Sequence, residues 1–324
     1  PATVQRVRLG AGRDGRLNAM SMTTWTHCHR DGAFTEHASN FARSLYAAPN
    51  RLTGHRLVKL DLPHAGAMRA PGEASGTLSL ECAMDELAEQ LGLDPVELRI
   101  RNEPEVDPEN GRPFSQRQLV RCLREGAQLF GWDRRLPTPG QVRDGRWLVG
   151  LGMAAAIRGN FLLPAKCSFS VDADGVITVR QGMTDIGTGT YTVLAQIAAE
   201  TLGVPLGQVK VEIGDSELPP APGSGGQFGA ATAGSAALMA GMNLRRAIAD
   251  LATGDPGSPL HAGDPGDVTF QDGVVAIENR SETLSDLIRR AAPEGLTVEG
   301  EIRPAQDAQK WSQQTYGAHY CETR

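Results

Sequence analysis

Ala67-Met68-Arg69-Ala70-Pro71-Gly72-Glu73-Ala74 sets one arginine on a Pro-Gly bend directly ahead of a long amphipathic segment. Pro71 fixes its own φ, and Gly72 permits backbone that a residue with a Cβ follows only at a cost. In residues 73–91, Leu78, Cys82, Met84, Leu87 and Leu91 recur close to helical spacing, which predicts a helix with one apolar stripe. A helix start turns its unpaired N–H groups and positive dipole end toward the bend. An anion held there would meet a guanidinium and main-chain donors together. The plainer alternative is a helix start beside an exposed arginine.

Outward from the bend, residues 4–9 alternate polar and apolar, break at Gly10-Ala11-Gly12-Arg13-Asp14-Gly15, and return over 17–28, which predicts a hairpin. Residues 34–45 read as a helix and 55–62 as a strand running into the bend. Gly92 stops the long helix, and Asp94-Pro95 caps a short one through Leu98 and Ile100. Ser115 and Gln118 read as a capping box opening a helix to Phe130. Pro137-Thr138-Pro139-Gly140 reads as a linker, dividing the chain into a first domain, 1–136, and a second, 137–324.

Beyond the linker, 147–157 predicts a strand and 169–180 a hairpin turning at Asp174-Gly175. Gly182-Met183-Thr184-Asp185-Ile186-Gly187-Thr188-Gly189-Thr190 is a glycine loop opening a helix over 191–202, and 209–213 follows as a strand. Gly223-Ser224-Gly225-Gly226-Gln227-Phe228-Gly229 is a second such loop, opening an Ala-rich helix over 230–251. Residues 253–267 turn polar and read as a surface excursion. A hairpin over 268–277, a helix over 281–292 and a strand over 316–321 complete the reading.

With 324 residues the chain has room for two domains, and aromatics at 5% leave its core to Ala, Val, Leu and Ile. A net charge of −6 without a basic stripe argues against nucleic acid as a partner. The five cysteines are widely spaced and contain no C-x-x-C pair, so neither a zinc site nor an iron–sulfur cluster is encoded and reduced thiols are expected. No apolar run approaches the roughly 18 residues of a membrane span. The first residues read as a strand rather than as a signal peptide or a natural start.

A glycine-bearing loop ahead of a helix start thus recurs at 69–72, 187–189 and 223–229. Such loops let main-chain N–H groups converge on an anion, and Thr188, Thr190, Thr192, Ser224 and Gln227 add neutral donors. Neither glycine loop contains lysine, so this is not a phosphate-binding P-loop, and no G-x-G-x-x-G string continues from Gly187. A large phosphate-bearing ligand held by main chain and hydroxyls fits the pattern. The alternative is that the glycines mark turns and close helix packing.

The 67–74 stretch, Glu81-Cys82-Ala83-Met84-Asp85-Glu86-Leu87-Ala88, Asp94-Pro95-Val96-Glu97-Leu98-Arg99-Ile100-Arg101-Asn102, Thr184-Asp185-Ile186-Gly187-Thr188-Gly189 and Gly223-Ser224-Gly225-Gly226 stand in order. Together they resemble the molybdenum-binding large subunit of the xanthine dehydrogenase/aldehyde oxidase family, in its bacterial periplasmic aldehyde oxidoreductase branch. The resemblance covers nearly the whole chain and is weakest over 253–267. It implies an α+β fold of two molybdopterin-binding domains, each of mixed sheets with packed helices. It implies a molybdenum-bearing molybdopterin, in the cytosine dinucleotide form, and oxidation of aldehydes or aromatic heterocycles with water as the oxygen source. Electrons would leave to 2Fe–2S clusters and FAD on partner subunits, an iron–sulfur subunit and an FAD subunit.

Carried over by residue, the resemblance makes Arg69 the catalytic cation, stabilising charge that develops on the attacked carbon's oxygen. Ala70 and Gly72 would face the metal centre, with no side chain of this chain ligating the metal. Gly187, Thr188, Gly189, Thr192, Ser224, Gly225, Gly226 and Gln227 would hold the cofactor phosphates. Arg158, Asn160, Phe161 and Leu162 would line the substrate pocket. Cys167-Ser168-Phe169 is similar to the active-site cysteine motif of carbon monoxide dehydrogenase relatives, but it falls on a predicted strand and reads as core.

The family's general base is a glutamate in a Gly-x-Gly-Glu string, and these 324 residues contain none. The family's N-terminal glycine motif and hammerhead-like first domain are also absent. The expectation is therefore a portion of the subunit, inactive alone; the alternative is a non-catalytic fragment, a cofactor-binding or assembly module. Glu73 is a candidate substitute base, although its place in a helix first turn favours a capping role. The sequence leaves the compartment open between cytoplasm and bacterial periplasm.

Overall fold

The structure is a computed structural model and describes residues 1–304 and 309–324. Its contacts divide the chain into two compact units, Pro1–Gly159 with Gln309–Arg324, and Asn160–Ala308.

In the first unit β1 (Thr3–Ala11) and β2 (Leu17–His29) form the expected antiparallel hairpin, turning at Gly15 with φ 85°. β3 (Asn50–Leu60) adds in parallel to β2. Helix α1 (Glu73–Leu91) matches the predicted span and ends on left-handed Gly92, but its buried face is Gly76, Leu80, Glu81, Met84 and Ala88, and Leu78 and Cys82 of the predicted stripe are exposed because the helix turns the other face to the core. Asp94 caps α2 (Pro95–Arg101) by accepting from the Val96 and Glu97 N–H groups. The helix predicted over 34–45 is not formed; only Phe41–Arg43 makes a single tight turn. Its main chain is spoken for elsewhere, since the Ser39 N–H donates to His55 Nε2 at 3.0 Å. The proposed capping box is also absent. The Ser115 N–H pairs with the Ser312 carbonyl, and Gln118 precedes α3 (Leu119–Phe130) without a side-chain cap bond.

A second sheet orders the last strand, Gln314–Thr323 (β13), beside β5 (Trp147–Gly159) and β4 (Val142–Asp144). Because β5 pairs with β13 along its length, residues 137–159 stay with the first unit. The contact division therefore falls at Gly159, whereas the sequence-based boundary was placed at the Pro-Gly linker.

Met22, Tyr46, Leu80, Met84, Leu98, Leu119 and Leu123 are buried at the centre of this unit. Among them lies a charged network. Glu81 accepts the Tyr46 O–H at 2.6 Å, the Arg99 Nε–H at 2.8 Å and the Ala155 N–H at 2.6 Å. The Arg99 guanidinium also reaches the Pro95 carbonyl at 3.0 Å and Asp85 at 2.8 Å. Burial works against its charge, but Tyr46, Glu81 and Asp85 outweigh that and keep it protonated. One buried group thus ties α1, α2 and β5 together.

In the second unit β6 (Ala165–Val171), β7 (Ile177–Gln181), β8 (Val209–Ile213) and β12 (Leu296–Ile302) form a sheet of order β12-β6-β7-β8. Helices α4 (Thr190–Leu202) and α5 (Gly234–Gly254) contribute Leu194, Ala198, Ala236, Ala240 and Leu244 to its core. β12, which the sequence reading passed over, lies so close to α5 that a Cβ on Gly300 would sit 2.1 Å from the Ala240 nitrogen. Residues 253–267 are not purely a surface excursion, because Leu260 is fully buried. A small sheet of β9 (Thr269–Gln271), β10 (Val274–Ile277) and β11 (Arg280–Thr283) leads into α6 (Leu284–Ala291), so the helix expected from 281 begins at Leu284, where Thr283 caps it. Sheets and helices are mixed in both units, an α+β fold. Among the described residues no helix is long and apolar enough to cross a membrane.

Replacing Arg99 by Met leaves Glu81 buried without its charge partner, and removing one member of such a pair costs about 3–5 kcal/mol. Denaturant unfolding followed by circular dichroism should show that loss; an Arg99→Met protein within about 1 kcal/mol of wild type would mean the network is not what holds this unit.

Candidate functional site

The arginine bend is strained where the sequence reading placed it. Arg69 has φ 53°, in the left-handed region, and Gly72 has φ 88°. A non-glycine residue held there costs roughly 1–2 kcal/mol, so surrounding contacts must impose the turn. They come from residues 36–38. The Gly72 N–H donates to Glu36 Oε1 at 2.5 Å and the Ser75 hydroxyl to the same oxygen at 3.0 Å. A Cβ on Gly72 would lie 2.8 Å from the His37 carbonyl, and one on Gly76 would lie 1.9 Å from that of Ala38. The Gly72 N–H expected to face a ligand is therefore occupied by Glu36. The Arg69 side chain is exposed and has no hydrogen bond or ion pair among the described residues. Ala70 is half-buried, and its carbonyl accepts the Ala74 N–H at 3.1 Å.

Glu73 neither caps this helix nor stands free as a base. It pairs with Arg158 at 2.5 Å, and its Oε2 is buried without a hydrogen-bond partner among the described residues. Arg158, expected in a substrate pocket, is thus engaged by α1, in the first unit.

In the second unit, Gly187 and Gly189 have φ 96° and 79°, so the first glycine loop uses their conformational freedom. Its main-chain donors are not vacant. Asp185 Oδ1 accepts the N–H groups of Gly187 at 2.8 Å, Thr188 at 2.9 Å and Gly189 at 3.2 Å, and Oδ2 accepts that of Tyr191 at 3.4 Å. Desolvation pushes the Asp185 pKa up, but these four donors outweigh it and hold the carboxyl below its ordinary value. The loop offers a ligand the exposed Thr188 and Thr192 side chains, not its amides.

The second glycine loop is joined to the first by the Ser224 hydroxyl, which donates to the Thr184 carbonyl. Gly223, Gly226 and Gln227 all have positive φ, Gln227 at 62°. The main-chain N–H groups of Gly225 and Gly226 find no acceptor among the described residues. The chain then makes a wide π turn, Gly229–Ala233, before α5, a feature that often marks functional sites. Thr232 in that turn donates to the Phe161 carbonyl at 3.1 Å and accepts from the Leu163 N–H at 3.2 Å. This draws residues 160–163 to the second loop. Asn160 and Leu162 are half-buried and Phe161 is exposed. Beneath, the fully buried Gln181 donates to the Lys166 carbonyl at 2.8 Å, and its Oε1 has no partner among the described residues.

The structure therefore gathers Thr188, Gly187, Gly189, Ser224, Gly225, Gly226, Gln227, Asn160, Phe161 and Leu162 in the second unit, while Arg69, Ala70, Gly72 and Arg158 belong to the first. A Cβ built on Gly187, Gly189 or Gly223 would meet nothing within 4 Å and one on Gly225 only Phe228 at 3.9 Å, whereas one on Gly226 would meet the Phe228 ring at 2.7 Å, so Gly226 is open only on the side away from that ring. This fits a phosphate-bearing group resting on the second loop. Cys167 is core, with burial pushing its thiol up to about 12. The sequence reading missed Asp185, Glu36 and Thr232 as organising residues. Only Asp185 left a signal, an Asp two residues before a glycine, as in an Asx turn.

The chain belongs to the molybdopterin cofactor-binding domain family, whose two domain types match residues 1–103 and 125–324. It is 47% identical over 323 residues to the aldehyde oxidoreductase molybdenum-binding subunit PaoC of Escherichia coli (strain K12), a match spanning 99% of this chain and 42% of that protein. It is 32% identical over 219 residues to the xanthine dehydrogenase molybdenum-binding subunit of Escherichia coli O157:H7, covering 63% of this chain and 29% of that one. In fold it resembles quinoline 2-oxidoreductase from Pseudomonas putida 86, with a TM-score of 0.79 at 20% identity, over 98% of this chain and 44% of that one. The chain thus spans less than half the length of the relatives it matches.

A carboxylate stabilised as the anion contributes stability above its unfolded pKa and loses it as pH falls through the lower folded value. Asp185→Asn should therefore lower the urea midpoint at pH 7 and approach wild type near pH 3. An equal deficit at both pH values would show that the Asp185 charge is not bound by the loop.

Proposed function

We propose that this chain forms the cofactor-binding part of a molybdenum hydroxylase large subunit that oxidises aldehydes or aromatic heterocycles. The observation that carries the proposal is the second glycine loop, whose Gly225 and Gly226 amides are unengaged among the described residues beside the exposed Gln227. Main-chain donors of this kind suit an anionic oxygen without demanding lysine. In this reading Ser224, Gly225, Gly226 and Gln227 hold the phosphates of a molybdopterin cytosine dinucleotide. Thr188 and Thr192 supply hydroxyls, and Gly187 and Gly189 shape the loop rather than donate.

When bound, the molybdenum cofactor supplies a two-electron oxidation that places a water-derived oxygen on the substrate carbon. The contribution of this chain is positioning and charge. Arg69, whose guanidinium has no hydrogen bond or ion pair among the described residues, would stabilise the oxyanion developing on an attacked aldehyde, and Ala70 would give the bend a small surface beside it. Phe161 and Leu162 offer apolar surface to an aromatic substrate, beside Asn160. Arg158 serves by fixing Glu73 rather than by touching substrate. Electrons pass to an iron–sulfur subunit and an FAD subunit. The relative PaoC is itself a molybdenum-binding subunit, which supports such a division.

These 324 residues contain no Gly-x-Gly-Glu string, so we place the base outside them and take the isolated chain to be inactive. The same absence, with Asp185 filling the first cradle, favours as second reading a non-catalytic cofactor-binding or assembly module. Metal analysis and acid-released nucleotide analysis of the complete purified assembly separate the two. The first predicts stoichiometric molybdenum and cytidine monophosphate, with turnover of benzaldehyde or quinoline. Molybdenum with no released nucleotide would refute the dinucleotide form, and nucleotide without turnover of either compound would favour the module.

A further inference from the structure

We infer that Glu36 is a positioning residue for the Arg69 bend, holding through main-chain hydrogen bonds the turn from which that guanidinium projects. The inference rests on the reading of Arg69 as the cation beside the substrate. Glu36 is buried, yet it lies 36 residues from Gly72 in sequence and in no helix or strand. Its Oε1 receives both the Gly72 N–H and the Ser75 hydroxyl. The two contacts fix the residue after Pro71 and the first turn of α1 to one oxygen. Gly72 and Gly76 lack side chains where residues 37 and 38 press against the helix, so the approach is built into both partners.

The loop bearing Glu36 is itself anchored at a second place. The Ser39 N–H donates to His55 Nε2 on β3 at 3.0 Å, and the Ser39 hydroxyl lies 2.7 Å from that of Thr24 on β2. The path therefore runs from the first sheet through residues 36–39 to the bend. The Arg69 side chain has no hydrogen bond or ion pair among the described residues, so its placement depends on a backbone whose left-handed conformation is unfavourable alone. Without the acceptor at position 36, the Gly72 N–H loses its partner and the bend relaxes, moving the guanidinium.

The test is a double-mutant cycle in the complete assembly, assayed with benzaldehyde and ferricyanide alongside molybdenum content. Misplacing a catalytic group by about 1 Å costs on the order of a hundredfold, so Glu36→Ala should lower kcat by about tenfold to a hundredfold with molybdenum retained. Glu36→Gln, which keeps an acceptor, should restore most of it. In an Arg69→Ala background Glu36→Ala should add less than about twofold, because the two act as one unit. Should Glu36→Ala lose molybdenum, Glu36→Asp takes its place in the cycle, since its shorter reach breaks the Gly72 contact while keeping the charge. Wild-type kcat in the variant that retains molybdenum, or losses that multiply in the double variant, would overturn the inference. An Arg69→Ala enzyme with wild-type kcat would instead remove the reading of Arg69 on which it rests.

Discussion

Main-chain N–H groups at the beginnings of helices need acceptors, and where they find them decides how this molecule is arranged. Three helices are answered by carboxylates of the chain itself. Glu36 sits on the start of α1, Asp94 on that of α2 and Asp185 on that of α4. Each of these carboxylates accepts main-chain N–H bonds at the positive end of a helix. The second glycine loop differs, since Gly225 and Gly226 have no such carboxylate among the described residues. In the proposed reading its donors serve an external anion.

A different device organises the interior of the first unit. Arg99 and Glu81 are both buried, and two isolated charges there would be costly. Their hydrogen bonds to Tyr46, Pro95 and Ala155 leave the pair well satisfied and join elements far apart in sequence. α1 is thereby fixed along its middle by Arg99 and at its first turn by Glu36. A helix secured at both places presents its leading bend in one orientation, the condition a catalytic cation needs.

Elements set by local periodicity were legible in the sequence. The span of α1 and the β1–β2 hairpin follow from local pattern and turn residues, though the face α1 buries, with Leu80 and Ala88, is not the stripe of Leu78 and Cys82, and the positive φ values at Gly72, Gly187 and Gly189 follow from the loops that contain them. The reading of 34–45 as a helix failed because a distant partner decides. Residues 34–45 carry helix-compatible residues, but Gly72 and His55 draw the segment into a loop. The division at Gly159 depends on β13 returning to β5 from the far end of the chain. The glycine loops were found by composition. That Asp185 fills one of them requires knowing where its carboxylate points, a matter of rotamer and local turn rather than of residue type.

The two glycine loops differ: Asp185 locks one, and the proposed reading keeps the other for the cofactor. Residue-resolved amide hydrogen exchange on the complete assembly, with and without the molybdenum cofactor, tests it most directly. Gly187, Thr188 and Gly189 should exchange slowly in both states, while Gly225 and Gly226 become protected only on loading. Protection that appears at Gly187 to Gly189 on loading, with no change at Gly225 and Gly226, would contradict the account.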